Sequence, residues 1–533
     1  MGIYEEKIAE LNKLYADFEN FSDYELNREK FNEFYKSGNR LIYEDEYFAR
    51  RGCVISRAMY SIINKNRDTK LVGIINAICD EFTWALPAHI STEEKNPEKV
   101  IDLFSAETAQ TLSEIAHYIE LPRELHEKIR RLIFERVIKP YEENEFWWEK
   151  SNHNWAAVCD GCVGMTYLYE FPERFDAVSH RLIETMNCFL SGYGDDGACL
   201  EGLGYWNYGF GYFIYFAELL RKEKNIDLLN NEKVKKIAEF QQNMFLKNGV
   251  SVSFSDGFRE GSFNIGLTQF LKREFSGDIK IPNINYRRDY DECYRWAGFF
   301  RSFLWLDDLK NDDEFDFGEK YFSDAQWYIN KQKYFSFAAK GGNNAEPHNH
   351  NDVGNFIIAD DERQLIMDFG AGEYTRDYFN DDERYKYFCT SSMGHNVPIV
   401  DDNYQRNGEK YHANIIKAEG NEFVLDIGGA YDVEGLVIER KFEIRDSKIS
   451  LHDEYKNIKN EHKIIERFVS SIEPIIKNRD TKIGSMIVKS SVTPQIEKCI
   501  IKNHSGGDEA VYTLDYEVSG GNFKCEFIFL KAL

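Results

Sequence analysis

Apolar residues recur at intervals of three and four along the first part of the chain and at intervals of two along the rest. In Val100–Leu121 (VIDLFSAETAQTLSEIAHYIEL) and Arg123–Val137 (RELHEKIRRLIFERV) the spacing predicts amphipathic helices, because 3.6 residues per turn bring positions three and four apart onto one face. Pro122 is expected to end one helix and begin the next, and Pro140 to close another, giving helical hairpins with no strand between them. Downstream, Asn355–Asp368 (NFIIADDERQLIMD), Phe423–Ile427 and Lys448–Asp453 alternate as half-buried strands do, with turn signals at Asp360-Asp361 and Gly428-Gly429. Helices first and strands afterwards predict segregated layers: an α+β multidomain chain with an all-α domain over residues 1–325 and an antiparallel β-sandwich over 326–533. All eight tryptophans fall within the first 327 residues, which marks the same boundary. At 533 residues the chain also exceeds the size at which one hydrophobic core stops growing.

The ten cysteines are scattered, without the dense regular spacing of a disulfide framework, so reduced thiols are expected. Cys159-Asp-Gly-Cys162 has no second CxxC to complete a zinc knuckle and reads as a pair of buried helix cysteines. The first twenty residues are rich in Glu and Lys and show no signal peptide, and apolar runs such as Phe299–Leu306 stop well short of the ~20 residues a membrane span needs. A soluble, cytoplasmic protein is the expectation. A formal charge of −25 argues against nucleic acid as a partner, since such affinity comes from Lys and Arg displacing counterions. The same charge would repel a polyanion, so a site for one needs a local cluster of donors.

Three polar clusters could carry chemistry: Asn152-His153-Asn154-Trp155, Glu201-Gly202-Leu203-Gly204-Tyr205-Trp206-Asn207-Tyr208, and His348-Asn349-His350-Asn351-Asp352. The third lies in Gly341–Asp352 (GGNNAEPHNHND), too polar for a core and hence a loop or strand edge. In an extended chain His348 and His350 point to the same side and could converge on one metal, or one could bind metal while the other faces substrate. Asp368 and His395 complete a plausible zinc set of two His and one Asp, open as to whether the ion is catalytic or only pins strands. Solvated loop histidines are the plainer alternative. Likewise the first cluster could be a helix start capped by Ser151 or Asn152 with Trp155 entering the core, and the second an aromatic core stripe.

Taken in order, Trp84-Ala-Leu-Pro-Ala-His89, Asn152-His153, the Glu201…Tyr205…Tyr208 stretch, His348-x-His350-x-Asp352, Asp368-x-Gly370 with Tyr374, and His395 resemble the heparinase II/III-like polysaccharide lyases. The resemblance implies an incomplete (α/α) toroid followed by a β-sandwich, with the active site between them. It implies a lyase that cleaves uronic-acid glycans by β-elimination, glycosaminoglycan-type chains such as hyaluronan, chondroitin or heparosan first and alginate as the alternative. On it, Asn152 and His348 would bind the uronate carboxylate, His153 would be a base, and a tyrosine the acid, with spacing from His153 favouring Tyr208 over Tyr205. His350, Asp368 and His395 would hold one Zn2+. Glu201, Tyr205, Trp206, Asn154, Tyr374 and His89 are expected along the substrate cleft. Ala156 stands where some relatives carry a glutamate three residues after the histidine.

β-Elimination requires donors for a carboxylate whose charge delocalises, a base at C5 and an acid at the leaving O4; each residue type is present. Two rivals remain: a zinc hydrolase that activates water at His350, Asp368 and His395, and a zinc-containing glycan-binding protein without chemistry, for which 32 Tyr and 8 Trp serve equally well. Self-association is left open.

Overall fold

The computed structural model describes residues 3–21, 26–65, 68–275, 279–281, 290–306, 317–458, 462–519 and 523–532. Helices fill the chain from Ile3 to Leu304 and strands the chain from Gly318 onward. The helix Arg123–Ile133 shows why the three-four spacing works. Leu125, Ile129, Leu132 and Ile133 are buried while the charged positions between them face outward, and each such aliphatic contributes about 1.5–3 kcal/mol on burial. Pro122 sits at its N-cap, as expected. Pro140 does not close a helix. The backbone instead widens into a π turn, Phe134–Ile138, where the Lys139 N–H donates to the Phe134 carbonyl, and continues through Lys139–Glu143. A proline lacks the N–H and crowds the carbonyl four residues back, and the wider turn accommodates both.

The helix Asn154–Glu170 is buried on nearly every side, packed against Leu103–Tyr118, Phe175–Ser191 and Gly211–Lys224. Its Cys159 and Cys162 are core residues, and all ten cysteines are free thiols. Successive helices pack side by side as an incomplete (α/α) toroid. One departure from the expected all-helical pattern is the antiparallel pair Phe245–Lys247 and Val250–Ser251. No helix among the described residues is long and apolar enough to cross a membrane.

The strands form three main antiparallel sheets. The first runs in the order Gly318–Phe322, Trp327–Lys331, Ser336–Lys340, Phe356–Ala359, Gln364–Ile366. Since Gly318–Phe322 pairs in register with Trp327–Lys331, the sheet begins upstream of residue 326. It is covered on both faces. Trp327, Ile329, Ala338, Ile357 and Ala359 point into the helical core, and Tyr328, Phe337, Ala339, Phe356 and Ile358 into the sandwich core. Burial on both faces explains the nearly unbroken apolar run at 356–359. Asp360 closes the following turn, its Oδ1 accepting from the N–H groups of Glu362 and Arg363 at 2.9 and 3.0 Å. An eight-stranded sheet and a four-stranded sheet complete the sandwich, the latter holding Pro398–Val400 against Lys463–Ser470.

The two halves meet along residues 251–259. Gln364 Nε2 donates to the Ser251 carbonyl at 2.7 Å, Ser253 Oγ to the Asp368 carbonyl at 2.9 Å, and the Ala371 N–H to the Gly257 carbonyl at 3.2 Å. Arg259 pairs with Glu509 at 2.7 Å. Gly370 makes this approach possible: its φ is +71°, and a Cβ there would lie 2.1 Å from the Gly257 carbonyl oxygen. Gly370→Ala is therefore expected to cost at least the ~1–3 kcal/mol of left-handed strain and to lower the melting temperature measurably; a variant melting with the wild type would show that the seam does not close this tightly.

Candidate active site

The loop between Asn343–Asn344 and Phe356–Ala359 carries the histidine pair. It is not extended as expected. Asn349 N–H donates to the Glu346 carbonyl at 3.0 Å, and His348 adopts a left-handed φ of +53°. The imidazoles nevertheless converge, on a carboxylate rather than through strand alternation. His348 Nδ1 lies 2.6 Å from Asp256 Oδ2 and His350 Nε2 lies 3.1 Å from Asp256 Oδ1. Asp256 comes from the helical half, in the turn at Phe254–Gly257, and also accepts from Tyr374 (3.0 Å), Tyr378 (2.5 Å) and Arg384 (3.5 Å). Burial pushes this carboxyl up, but hydrogen bonds from His348 and His350 and the Arg384 charge outweigh it and hold it well below the usual carboxylate range.

The Asn152-His153 cluster begins the helix Asn154–Glu170. His153 is its N-cap residue with extended backbone, and no side chain caps it, so neither Ser151 nor Asn152 plays that part. Gly192 lets the end of Phe175–Ser191 come close, since a Cβ there would lie 1.8 Å from the Asn152 carbonyl oxygen. Trp155 is half-buried against the helical core, 4.9 Å from the His89 ring and 5.0 Å from that of Trp147, which is 63% exposed. His89 itself is held by Asp102 at 2.8 Å. Burial lowers the pKa of His153, and the positive charge of His348 lowers it further.

The second cluster starts at buried Glu201, 3.5 Å from His348 Nε2, and passes through the short helix Leu203–Tyr205 into a π turn, Trp206–Phe210, packed on Asn154–Glu170. Trp206 is not a cleft residue. It is wholly buried, with its indole N–H donated to the Ile237 carbonyl at 2.7 Å. Tyr205 and Tyr208 are half-buried and face different partners. The Tyr205 ring packs 4.5 Å from His348, and its hydroxyl lies 3.1 Å from that of Tyr374. The Tyr208 hydroxyl donates to Glu107 at 2.5 Å, beneath the Arg295 guanidinium, which sits 3.9 Å from the ring and bonds Glu107 at 3.1 Å. Burial first, then the Glu107 charge, raises the Tyr208 pKa well above the usual phenol. Asn152, His153, Asn154, Glu201 and Tyr205, with Pro347 from the histidine loop, line one half-open pocket.

His350, Asp368 and His395 are wholly buried, and their ligand atoms lie within 4.8 Å of one another, close enough to hold one metal ion. The donor chemistry fits. His350 Nε2 is engaged by Asp256 while its Nδ1 is buried without a partner. His395 Nε2 lies 2.8 Å from the Cys389 carbonyl, leaving Nδ1 toward Asp368 Oδ2 at 3.5 Å. Asp368 is fixed by Asn355 Nδ2 at 2.7 Å and the Gly370 N–H at 2.8 Å. Carboxylate or carbonyl partners on the far nitrogens are what metal-bound histidines require. Burial also keeps the pKa of His350 below the usual imidazole value, favouring the neutral ligand form. A second close group, Asp453, Glu466 and Cys525, already has its counter-charge in buried Arg440, 2.7 Å from Asp453 and 3.0 Å from Glu466.

The structure thus brings Asn152, His153, Asn154, Glu201, Tyr205, His348 and Tyr374 to one cleft, places Tyr208 beside it and the metal group beneath it, and removes Trp206 to the core. Sequence reasoning missed Asp256, Glu107, Arg295, Tyr378 and Arg384. Only Ser255-Asp256-Gly257, a turn signal inside a helical region, hinted at the first.

An open helical toroid set on a β-sandwich, with a His/Tyr cleft at the seam above a buried His–Asp–His group, defines the class of protein. Residues 317–480 match the family described as heparinase II/III-like, C-terminal. Among solved structures, heparinase III superposes with a TM-score of 0.64 at 14% identity, covering 92% of this chain and 78% of that one. The heparan sulfate lyase of Pedobacter heparinus gives 0.59 at 11%, covering 99% and 87%. The chondroitin AC lyase of Streptomyces coelicolor A3, in complex with chondroitin sulphate, gives 0.58 at 8%, covering 100% and 80%. At these identities the likeness is one of fold. No curated protein sequence matches the chain.

The donor set predicts that the purified protein carries a divalent ion and that His395→Ala loses it, read by elemental analysis; equal metal content in both would remove His395 from the ligand set.

Proposed function

We propose that this protein is a lyase that cleaves uronic-acid glycans of the glycosaminoglycan type by β-elimination, leaving a C4–C5 double bond. The observation that carries the reading is the meeting, in one cleft, of two imidazoles in opposite electrostatic settings beside a tyrosine with a carboxylate partner. His348 is positioned to bind: burial opposes its charge, but the Asp256 hydrogen bond and the Glu201 and Asp256 charges raise its pKa above the usual imidazole value. With the exposed Asn152 amide it can donate to the uronate carboxylate, and the same donors meet the charge that develops when C5 loses its proton. His153, kept neutral by burial and by His348, is the base for substrates whose C5 proton and O4 lie on opposite faces. Tyr208 protonates the leaving O4: burial and the Glu107 charge keep its hydroxyl protonated at rest, the form an acid needs. For same-face substrates it takes the C5 proton first, after passing its own hydroxyl proton to Glu107 beneath the Arg295 cation, whereas the Tyr205 hydroxyl is bonded to that of Tyr374.

We read the metal as zinc held by His350, Asp368 and His395. When bound it would supply a fixed positive charge that ties the histidine loop to the neighbouring strand ends. Complete burial of all three residues supports a structural part rather than water activation, which weighs against the hydrolase alternative. Around the cleft, Glu201, Asp256 and Glu107 repel dense negative charge, which favours unsulfated hyaluronan, chondroitin or heparosan fragments over heparin, with alginate oligomers next.

The test is near-ultraviolet absorbance of the unsaturated uronate product with each of these glycans. Product is expected from at least one, with Tyr208→Phe losing about 10²–10⁴-fold in kcat and Tyr205→Phe losing less. A wild-type protein that binds these glycans without absorbance change would be a binding protein instead. On an opposite-face substrate, a depressed His153 pKa keeps the base unprotonated from neutrality down past the ordinary imidazole value of about 6.5. The kcat/KM profile should therefore fall only below that pH, and a fall centred above it would remove His153 as the base.

A further inference from the structure

The two oxygens of Asp256 divide their work. Oδ2 takes His348 and Tyr374 on the cleft side; Oδ1 takes His350 and Tyr378 on the metal side. We infer that Asp256 is a positioning residue that sets the ring orientation and tautomer of both histidines at once, and so links the substrate-binding imidazole to the metal group across the seam between the halves. The inference rests on the lyase reading for its cleft side only. A carboxylate accepts hydrogen bonds and donates none, so each imidazole must present N–H to it. His348 then keeps Nδ1–H on Asp256 and turns Nε2 toward Glu201 and the cleft. His350 keeps Nε2–H on Asp256 and is left with a lone pair at Nδ1, the very atom that is buried without a protein partner.

The chain has placed a wholly buried carboxylate from the helical half where it reaches both rings, with the Arg384 guanidinium 3.5 Å away. A merely structural carboxylate would be satisfied by Arg384 and the tyrosines alone. The strained left-handed backbone at Ser255 and at His348, φ +58° and +53°, is spent on bringing these two side chains within 2.6 Å.

Asp256→Asn keeps the shape but replaces one acceptor by a donor, which neither N–H can use. Partners of this kind are worth about 10–100-fold in metal affinity or activity. Metal affinity by competition with a chromophoric chelator should fall by that factor, and kcat/KM should fall, with KM rising as the carboxylate-binding imidazole loses its orientation. In a His348→Ala background, Asp256→Asn should cost no further activity yet still lose metal affinity, a pattern that general loosening of the fold would not give. Wild-type metal affinity and wild-type kcat/KM in Asp256→Asn would overturn the inference, as would activity losses that simply multiply in the double variant. If Asp256→Asn does not fold, Tyr378→Phe, which leaves the carboxylate but strips a donor from Oδ1, should lower metal affinity severalfold, and an unchanged affinity would be equally fatal. The metal measurements stand apart from catalysis: a wild-type protein that makes no unsaturated product refutes the lyase reading, while metal affinity in the variants still decides for or against Asp256.

Discussion

A single carboxylate buried where the helical half meets the sandwich organises the site. An isolated buried charge would cost many kcal/mol and would protonate instead; Asp256 stays ionised because five donors reach it, all from the sandwich half and one of them a guanidinium. Each donor is thereby fixed too. The turn at Tyr374–Tyr378, Arg384 and the histidine loop are all pinned to one atom pair that the sandwich itself does not supply. Neither half contains a finished site: the cleft exists because the seam is closed.

A second buried charge plays a matching part inside the sandwich. Arg440 pairs with Asp453 and Glu466 and donates through Nη1 to the carbonyls of Gly354 and Asn396, at 3.0 and 2.8 Å. Those carbonyls flank the histidine loop on one side and His395 on the other. The ion cluster is costly to bury, and its yield is specificity of loop placement more than net stability. Around it Glu466, pushed up by burial and by the Asp453 charge, accepts at its second oxygen from Tyr455.

The electrostatics of the whole chain and of the cleft differ in kind. The average field is strongly negative, yet the groups that face a bound carboxylate are an amide and an imidazole whose charge two buried acids sustain. Recognition therefore relies on placed donors acting at short range, where burial limits screening, and not on a basic surface.

The residue pattern by itself determined the order of layers, because helical and strand periods are local properties: Leu125, Ile129, Leu132 and Ile133 fall on one face whatever surrounds them, and Asp360 caps its own turn. It also marked Asn152-His153, His348, His350, Asp368 and His395, since several hydrogen-bonding groups in a short polar segment are hard to bury without a purpose. It could not tell Trp206 from Tyr205, neighbours in the chain, because which one faces the core depends on a π turn and on what packs behind it. It read Pro140 as a stop where a widened turn carries the helix through. The partners of Asp256, Glu107 and Arg295 could not be read for a common reason: each acts on a residue at least 92 positions away, separations set by tertiary packing. Local spacing records which side chains share an element, and only the tertiary structure decides which elements share a carboxylate.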